Sequence, residues 1–203
     1  MDAVVFDLLG VIIDEENIAS KRLYAMLPEP RTISSEELKT RYAEGLKIGA
    51  MTPEEFWSFL ITTDWELFER QFLDDLRIMN AADRVLGALR NRVQLGAISE
   101  LPRRWGTYVL GRHRLSQDFK QTVFSDDYKA TKSESVLFEA LSEKLKVPFG
   151  SMAYIDDKLK NLKMAGALGI KETIWFKRNE QELIWKPNAV VTRLEDLTDI
   201  ILG

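Results

Sequence analysis

Five short apolar runs punctuate the chain, at residues 3–7, 93–98, 121–124, 152–156 and 173–176. An unbroken run of this length is what a strand buried on both faces of a parallel sheet requires. Between the later runs, residues 102–114, 134–146 and 159–168 carry apolar positions at helical spacing. Strand alternating with helix predicts an α/β protein built on a doubly wound parallel sheet. The alternation breaks once. Roughly residues 15–79 hold no convincing strand but several amphipathic stretches, including Glu36–Glu44 and Phe56–Phe72. One helix start there is explicit: Thr52 caps, Pro53 suits the first helical position, and Glu55 completes a capping box. The pattern therefore predicts an inserted helical cap over residues 15–79 and an α/β core formed by residues 1–14 and 80–203. Because the insertion leaves just after Asp7 and returns before Ser99, it is expected to cover the carboxyl edge of the sheet as a lid, with hinges near Asp14–Glu15 and Met79–Ala82.

Candidate chemistry gathers at that edge. Asp7 ends the first run, and Asp156 and Asp157 end the fourth. In open α/β sheets ligands collect beyond the carboxyl ends of the strands, and three carboxylates converging there call for a cation. Composition narrows the remaining options. The balance of 28 basic against 32 acidic side chains, net charge -4, argues against a nucleic-acid surface. No uncharged apolar run is long enough to span a membrane, and the start Met1-Asp2 lacks the basic region of a signal peptide, so a soluble, cytosolic protein is expected. Zero cysteines remove disulfides, thiolate chemistry and cysteine-ligated zinc. A single histidine, His113, removes most histidine-based metal sites. Chemistry is left to carboxylates and lysines. The basic stretch of Arg103, Arg104, Arg112, His113, Arg114 and Lys120 reads as a solvated helix face, and the aromatics Phe56, Trp57, Phe59, Trp65, Phe68 and Phe72 read as helix packing.

Four segments then fall into line: Phe6-Asp7-Leu8-Leu9-Gly10-Val11; Ala97-Ile98-Ser99-Glu100; Lys132-Ser133-Glu134-Ser135 running to Phe138; and Tyr154-Ile155-Asp156-Asp157 followed by Asn161, Ala165 and Gly169. In this order, with a helical insert after the first, they resemble the haloacid-dehalogenase-like hydrolase superfamily, in its branch of helical-cap phosphatases. The fourth segment is the most specific. The third departs from the family pattern, with Ser133 where a proline usually follows the lysine. Lys132 is preferred over Lys129 for the third motif because Phe138 and Leu141 then fall where the family's helix buries apolar residues.

The resemblance implies a magnesium-dependent phosphatase of a small phosphorylated metabolite. Asp7 would attack phosphorus and form an aspartyl-phosphate that water hydrolyses. Mg2+ would be held by Asp7, the backbone carbonyl of Leu9, and Asp156 or Asp157. Lys132 would place a fixed positive charge beside the nucleophile, and Ser99 would donate a hydrogen bond to a phosphoryl oxygen. Two positions depart from the family. Its phosphatases usually carry an aspartate two residues after the nucleophile, as proton donor and then general base; Leu9 stands there. General acid–base assistance is worth ~10²–10⁴ in rate, so slow turnover or a preference for good leaving groups is expected. Glu100, in place of a more usual asparagine, is either the substitute acid at the phosphate site or a charge that repels phosphate. Two rivals share the frame. L-2-haloacid dehalogenases also lack the second aspartate, but need no metal and do not carry an acidic pair in the fourth motif. The other is a non-catalytic descendant that binds a phosphorylated ligand or a protein partner.

Overall fold

The computed structural model describes residues 1–61, 64–180, 183 and 185–203. Six strands form one parallel sheet: β1 (Ala3–Asp7), β2 (Gln94–Ser99), β3 (Gln121–Phe124), β4 (Met152–Asp156), β5 (Glu172–Phe176) and β6 (Ala189–Val191). Their order is β3-β2-β1-β4-β5-β6. The first five lie within a residue of the expected runs. β6 is only three residues long and leaves Val190 exposed at the sheet edge, so it lacks the unbroken apolar run that marks the others.

Between β1 and β2 the described chain is helical. A π-helical stretch, Ile18–Leu23, runs into α1 (Tyr24–Met26); α2 (Ser35–Arg41) runs into a π-helical turn at Tyr42–Leu46; α3 (Pro53–Leu60), α4 (Trp65–Asp74) and α5 (Ala82–Leu89) follow. The stretch expected over residues 56–72 is thus divided between α3 and α4, with residues 62 and 63 outside those described. Thr52 accepts from the Glu55 N–H and the Glu55 carboxylate accepts from the Thr52 N–H, the reciprocal box that starts α3. Ser34 and Glu37 start α2 in the same way. After β2 come α6 (Arg103–Arg112), α7 (Ser125–Tyr128), α8 (Val136–Leu145), α9 (Leu159–Ala167) and α10 (Asp196–Leu202). No described helix is long and apolar enough to cross a membrane.

Alternation along the strands splits the core into two layers. Val4 and Phe6 join Leu95, Ala97, Ile155 and Ile174 on one face, where α5, α6, α10 and the helical insertion pack. Ala3 and Val5 join Ile98, Val123, Tyr154 and Trp175 on the other, covered by α8 and α9. The segments that leave and re-join the sheet bind each other: the Asp14 N–H donates to the Arg77 carbonyl at 2.9 Å and the Met79 N–H to the Ile12 carbonyl at 2.8 Å.

A buried aromatic cluster ties the insertion to α6. Trp57, Phe72 and Trp105 are fully buried. Phe72 meets Trp105 edge-on with ring centroids 5.1 Å apart, and Tyr42 stacks on Trp105 at 5.7 Å. At the centre, Glu69 of α4 is 2% exposed. It accepts from Trp57 Nε1 at 2.9 Å and Trp105 Nε1 at 2.7 Å, and it pairs with Arg104. The aromatics expected to pack do so, apart from Phe59, which stays exposed beneath the Arg41 guanidinium. Removing the acid strands two buried indole N–H groups. Glu69→Ala should therefore lower the unfolding free energy by about 3 kcal/mol, and Glu69→Gln, whose amide oxygen still accepts, by less. Urea unfolding measures both, and equal midpoints for wild type and Glu69→Ala would remove Glu69 from the account of this interface.

Candidate active site

β1 lies between β2 and β4, and the strand order reverses at this point, which opens a crevice beyond the carboxyl ends. Phe6 pairs with Ile155, so Asp7 and Asp156 end adjacent strands side by side. Asp7, Asp156 and Asp157 are all buried, each with a carboxylate oxygen within 4.8 Å of the others. Lys132, from the loop between α7 and α8, enters from the second face and is 1% exposed. Its Nζ lies 2.6 Å from Asp7 Oδ1 and 2.9 Å from Asp156 Oδ2. Lys129 is exposed at the end of α7. The structure thus brings together Asp7, Lys132, Asp156 and Asp157.

The two adjacent acids differ sharply. Asp156 is saturated. Its Oδ2 accepts from Lys132, Asn161 and the Tyr154 hydroxyl, and its Oδ1 from the Lys158 N–H at 2.8 Å and Asn161 Nδ2 at 3.1 Å. Asp157 is held through its backbone, whose carbonyl accepts from Trp175 Nε1 at 3.1 Å, while its own Oδ1 is buried without a partner. Asp157 also presses on the turn after β1. Gly10 there has φ +94, and a Cβ on it would stand 2.5 Å from Asp157 Oδ2, so only glycine fits. The Leu9 carbonyl accepts no hydrogen bond among the described residues. Buried oxygens left without donors cost free energy unless a cation or water completes them. This set of hard oxygen donors fits a divalent cation of the magnesium type, with Asp157 facing it and Asp156 fixing Lys132.

Electrostatics point the same way. Burial raises the Asp7 carboxyl, Lys132 pulls it down, and Asp156 and Asp157 push it up again, which leaves it at about 8. Burial, then Asp156, raises Asp157 to about 6. Burial also opposes ionisation of Asp156, but Lys132 and the Tyr154 hydroxyl overcome it and hold its pKa below the ordinary value. Lys132 loses to burial but gains more from Asp156 and Asp7, so it stays charged. One ammonium cannot hold three buried carboxyls ionised near neutrality.

Two further expected residues come from the end of β2. Glu100 is expected as either a substitute acid at the phosphate site or a charge that repels phosphate. Burial works against its charge, yet Lys47 and Lys132 hold its pKa down to about 2, so it carries no proton to give at neutral pH. Its Oε2 lies 2.5 Å from Lys47 Nζ, and its Oε1 accepts the Lys132 N–H at 2.8 Å. Ser99 ends β2 fully buried, and its hydroxyl oxygen accepts the Leu101 N–H at 3.1 Å. Glu100 lines the cavity above Asp7. That cavity holds about 200 Å³, with Asp7, Leu9, Lys132 and Lys158 below and Tyr42 and Lys47 of the insertion above. The insertion is seated there by polar contacts: Tyr42 OH donates to the Glu100 carbonyl at 3.3 Å and Ser125 Oγ to the Lys47 carbonyl at 2.5 Å. Sequence reasoning missed Tyr154 and Lys47. A hydroxyl two residues before Asp156, on the same strand face, was a readable signal for the first; Lys47 meets Glu100 across 53 positions of chain and gives none.

A profile of the haloacid dehalogenase-like hydrolase family matches residues 4–175. No curated protein matches the sequence. Among solved structures, a HAD phosphatase from Thermococcus onnurineus is 22% identical, with TM-score 0.73 over 100% of this chain and 98% of that one. The L-2-haloacid dehalogenase from Xanthobacter autotrophicus is 18% identical, with TM-score 0.73 over 100% and 99%. A HAD family enzyme from Bacteroides thetaiotaomicron, in complex with magnesium and inorganic phosphate, is 20% identical, with TM-score 0.70 over 89% and 96%. These structures share the fold, and across the profile match the chain belongs to the haloacid dehalogenase-like hydrolase family.

Proposed function

We propose that the protein is a magnesium-dependent phosphomonoesterase of small phosphorylated molecules, with residues 15–79 as a cap over a core of residues 1–14 and 80–203. The observation that carries this reading is the partnerless buried Oδ1 of Asp157 beside the Asp7–Lys132 pair. Asp7, Asp157 and the Leu9 carbonyl would hold Mg2+, which supplies positive charge that keeps the carboxylates ionised and offsets the repulsion between an anionic nucleophile and an anionic phosphate. Asp7 attacks phosphorus and forms the aspartyl-phosphate; the bond from phosphorus to the leaving oxygen breaks, and that oxygen keeps the electron pair. Water then attacks phosphorus, releasing phosphate and restoring Asp7. Lys132 lowers the proton affinity of Asp7 and aims it, and the cation would complete its ionisation. Leu9 has no proton to transfer, and Glu100 is held ionised, so the leaving oxygen departs best where it is already a stable anion.

The cavity of about 200 Å³ supports a small substrate, below the ~300–1,000 Å³ of drug-sized pockets. The haloacid rival shares an aspartate nucleophile and tolerates Leu9. A paired acid with an oxygen awaiting a cation favours the phosphatase.

Three outcomes are expected. First, the wild type should hydrolyse acetyl phosphate and p-nitrophenyl phosphate with magnesium but not with EDTA, and Asp7→Asn should lower turnover by at least about 10³-fold. Halide release from 2-chloropropionate without phosphate release would instead assign the site to dehalogenation. Second, Leu9→Asp should raise turnover of alkyl phosphates by roughly 10²-fold while changing acetyl phosphate little. Third, Asp7 at about 8 and Asp157 at about 6 bind protons more tightly than unfolded carboxyls near 4, so without a cation folding takes up protons and stability falls as pH rises from about 4 to about 8. Magnesium competes for the same oxygens. The rise in Tm that it produces should therefore be small at about pH 5.5 and large at about pH 8.5; a rise independent of pH would contradict binding at these acids.

A further inference from the structure

Four lysines line the cavity, and three have acidic partners. Lys132 lies between Asp7 and Asp156, Lys47 is on Glu100, and Lys39 stands 3.1 Å from Glu36. The fourth is Lys158. Among the described residues its ammonium makes no ion pair and no hydrogen bond; the residue's polar contacts are those of its main chain, the N–H given to Asp156 Oδ1 and the carbonyl that accepts from the Asn161 and Leu162 N–H groups. Those contacts fix the main chain at the start of α9 and leave the half-buried side chain in the cavity wall with Asp7 and Lys132.

A phosphoryl dianion needs several charge-assisted donors. The groups expected to supply them offer few. Lys132 gives two of the three donors of its ammonium to Asp7 and Asp156, the Ser99 hydroxyl has one proton to donate, and Glu100 is an anion paired with Lys47. We propose that Lys158 is a further phosphate-binding residue of this site, its ammonium giving the phosphoryl oxygens of a phosphomonoester, or of inorganic phosphate, hydrogen bonds beyond those that the remaining donors of Lys132 and Ser99 supply. This rests on the phosphatase reading, and it adds a residue that lies outside the motif positions. Charge supports it. With Asp7, Asp156, Asp157 and Glu100 ionised, Lys132, Lys47 and Lys158 leave the site at −1, and a bound divalent cation brings it to +1, so the loaded site attracts an anion. Without Lys158 it would be neutral. A fixed cation at this point also offsets the charge that the equatorial phosphoryl oxygens carry during transfer.

The test reads phosphate binding directly, separate from turnover. Calorimetric titration of inorganic phosphate into the full chain with magnesium should give at least tenfold weaker binding for Lys158→Met than for the wild type. Lys160→Met, which removes an exposed lysine of α9, should stay within twofold. The rise in Tm from magnesium alone should persist in Lys158→Met, which separates a lost phosphate contact from a damaged site; if that variant does not fold, Lys158→Gln removes the charge while keeping a polar side chain. Equal phosphate affinity for wild type and the Lys158 variant overturns the proposal and leaves the phosphatase reading standing. Absence of phosphate binding by the magnesium-loaded wild type, together with no ester hydrolysis, overturns both.

Discussion

The ammonium of Lys132 sits out of water between Asp7 and Asp156, and ions so placed each forfeit several kcal/mol of hydration unless geometry and further hydrogen bonds recover it. Much of the surrounding structure performs that recovery. Tyr154 and Asn161 donate to Asp156, the Lys158 N–H completes it, and Glu100 accepts the backbone N–H of Lys132 while Lys47 balances the charge of Glu100. The network crosses from the sheet into the helical insertion, so the surroundings of Asp7 depend on both parts of the chain.

Within the network one acid is fully satisfied and its neighbour is not. Asp156 faces donors on both oxygens, whereas Asp157 keeps a buried Oδ1 without a donor and lies against the turn at Gly10, where a side chain would collide with it. Two adjacent aspartates are therefore placed differently: one is bonded to the lysine, the other keeps an oxygen with no donor.

Much of this was legible in the sequence. A parallel sheet buried on both faces demands apolar runs, and those runs ended on the acids, so strand positions and the convergence of Asp7, Asp156 and Asp157 could be read together. β6 could not, because three residues at an edge leave no periodic signal. α5 escaped for a different reason: Ala82, Val85, Leu86 and Leu89 carry helical spacing, but they adjoin the expected return hinge. The charge balance of Glu100 was not legible because its partner Lys47 is distant in the chain, and only the fold brings the two together.

The aromatic seam around Glu69 bears on how a chain of this architecture can be recombined. Trp105 and Arg104 belong to α6, a helix on the flank of the sheet, yet their polar atoms are completed by an acid of the insertion. The sheet and its flanking helices are thus not a neutral platform onto which a foreign insertion could be grafted. A chimera would keep a buried-type indole and a guanidinium facing a surface with no matching carboxylate, and it would need a replacement acid at the position of Glu69, or a smaller, apolar residue at Trp105, before its two parts could share a core.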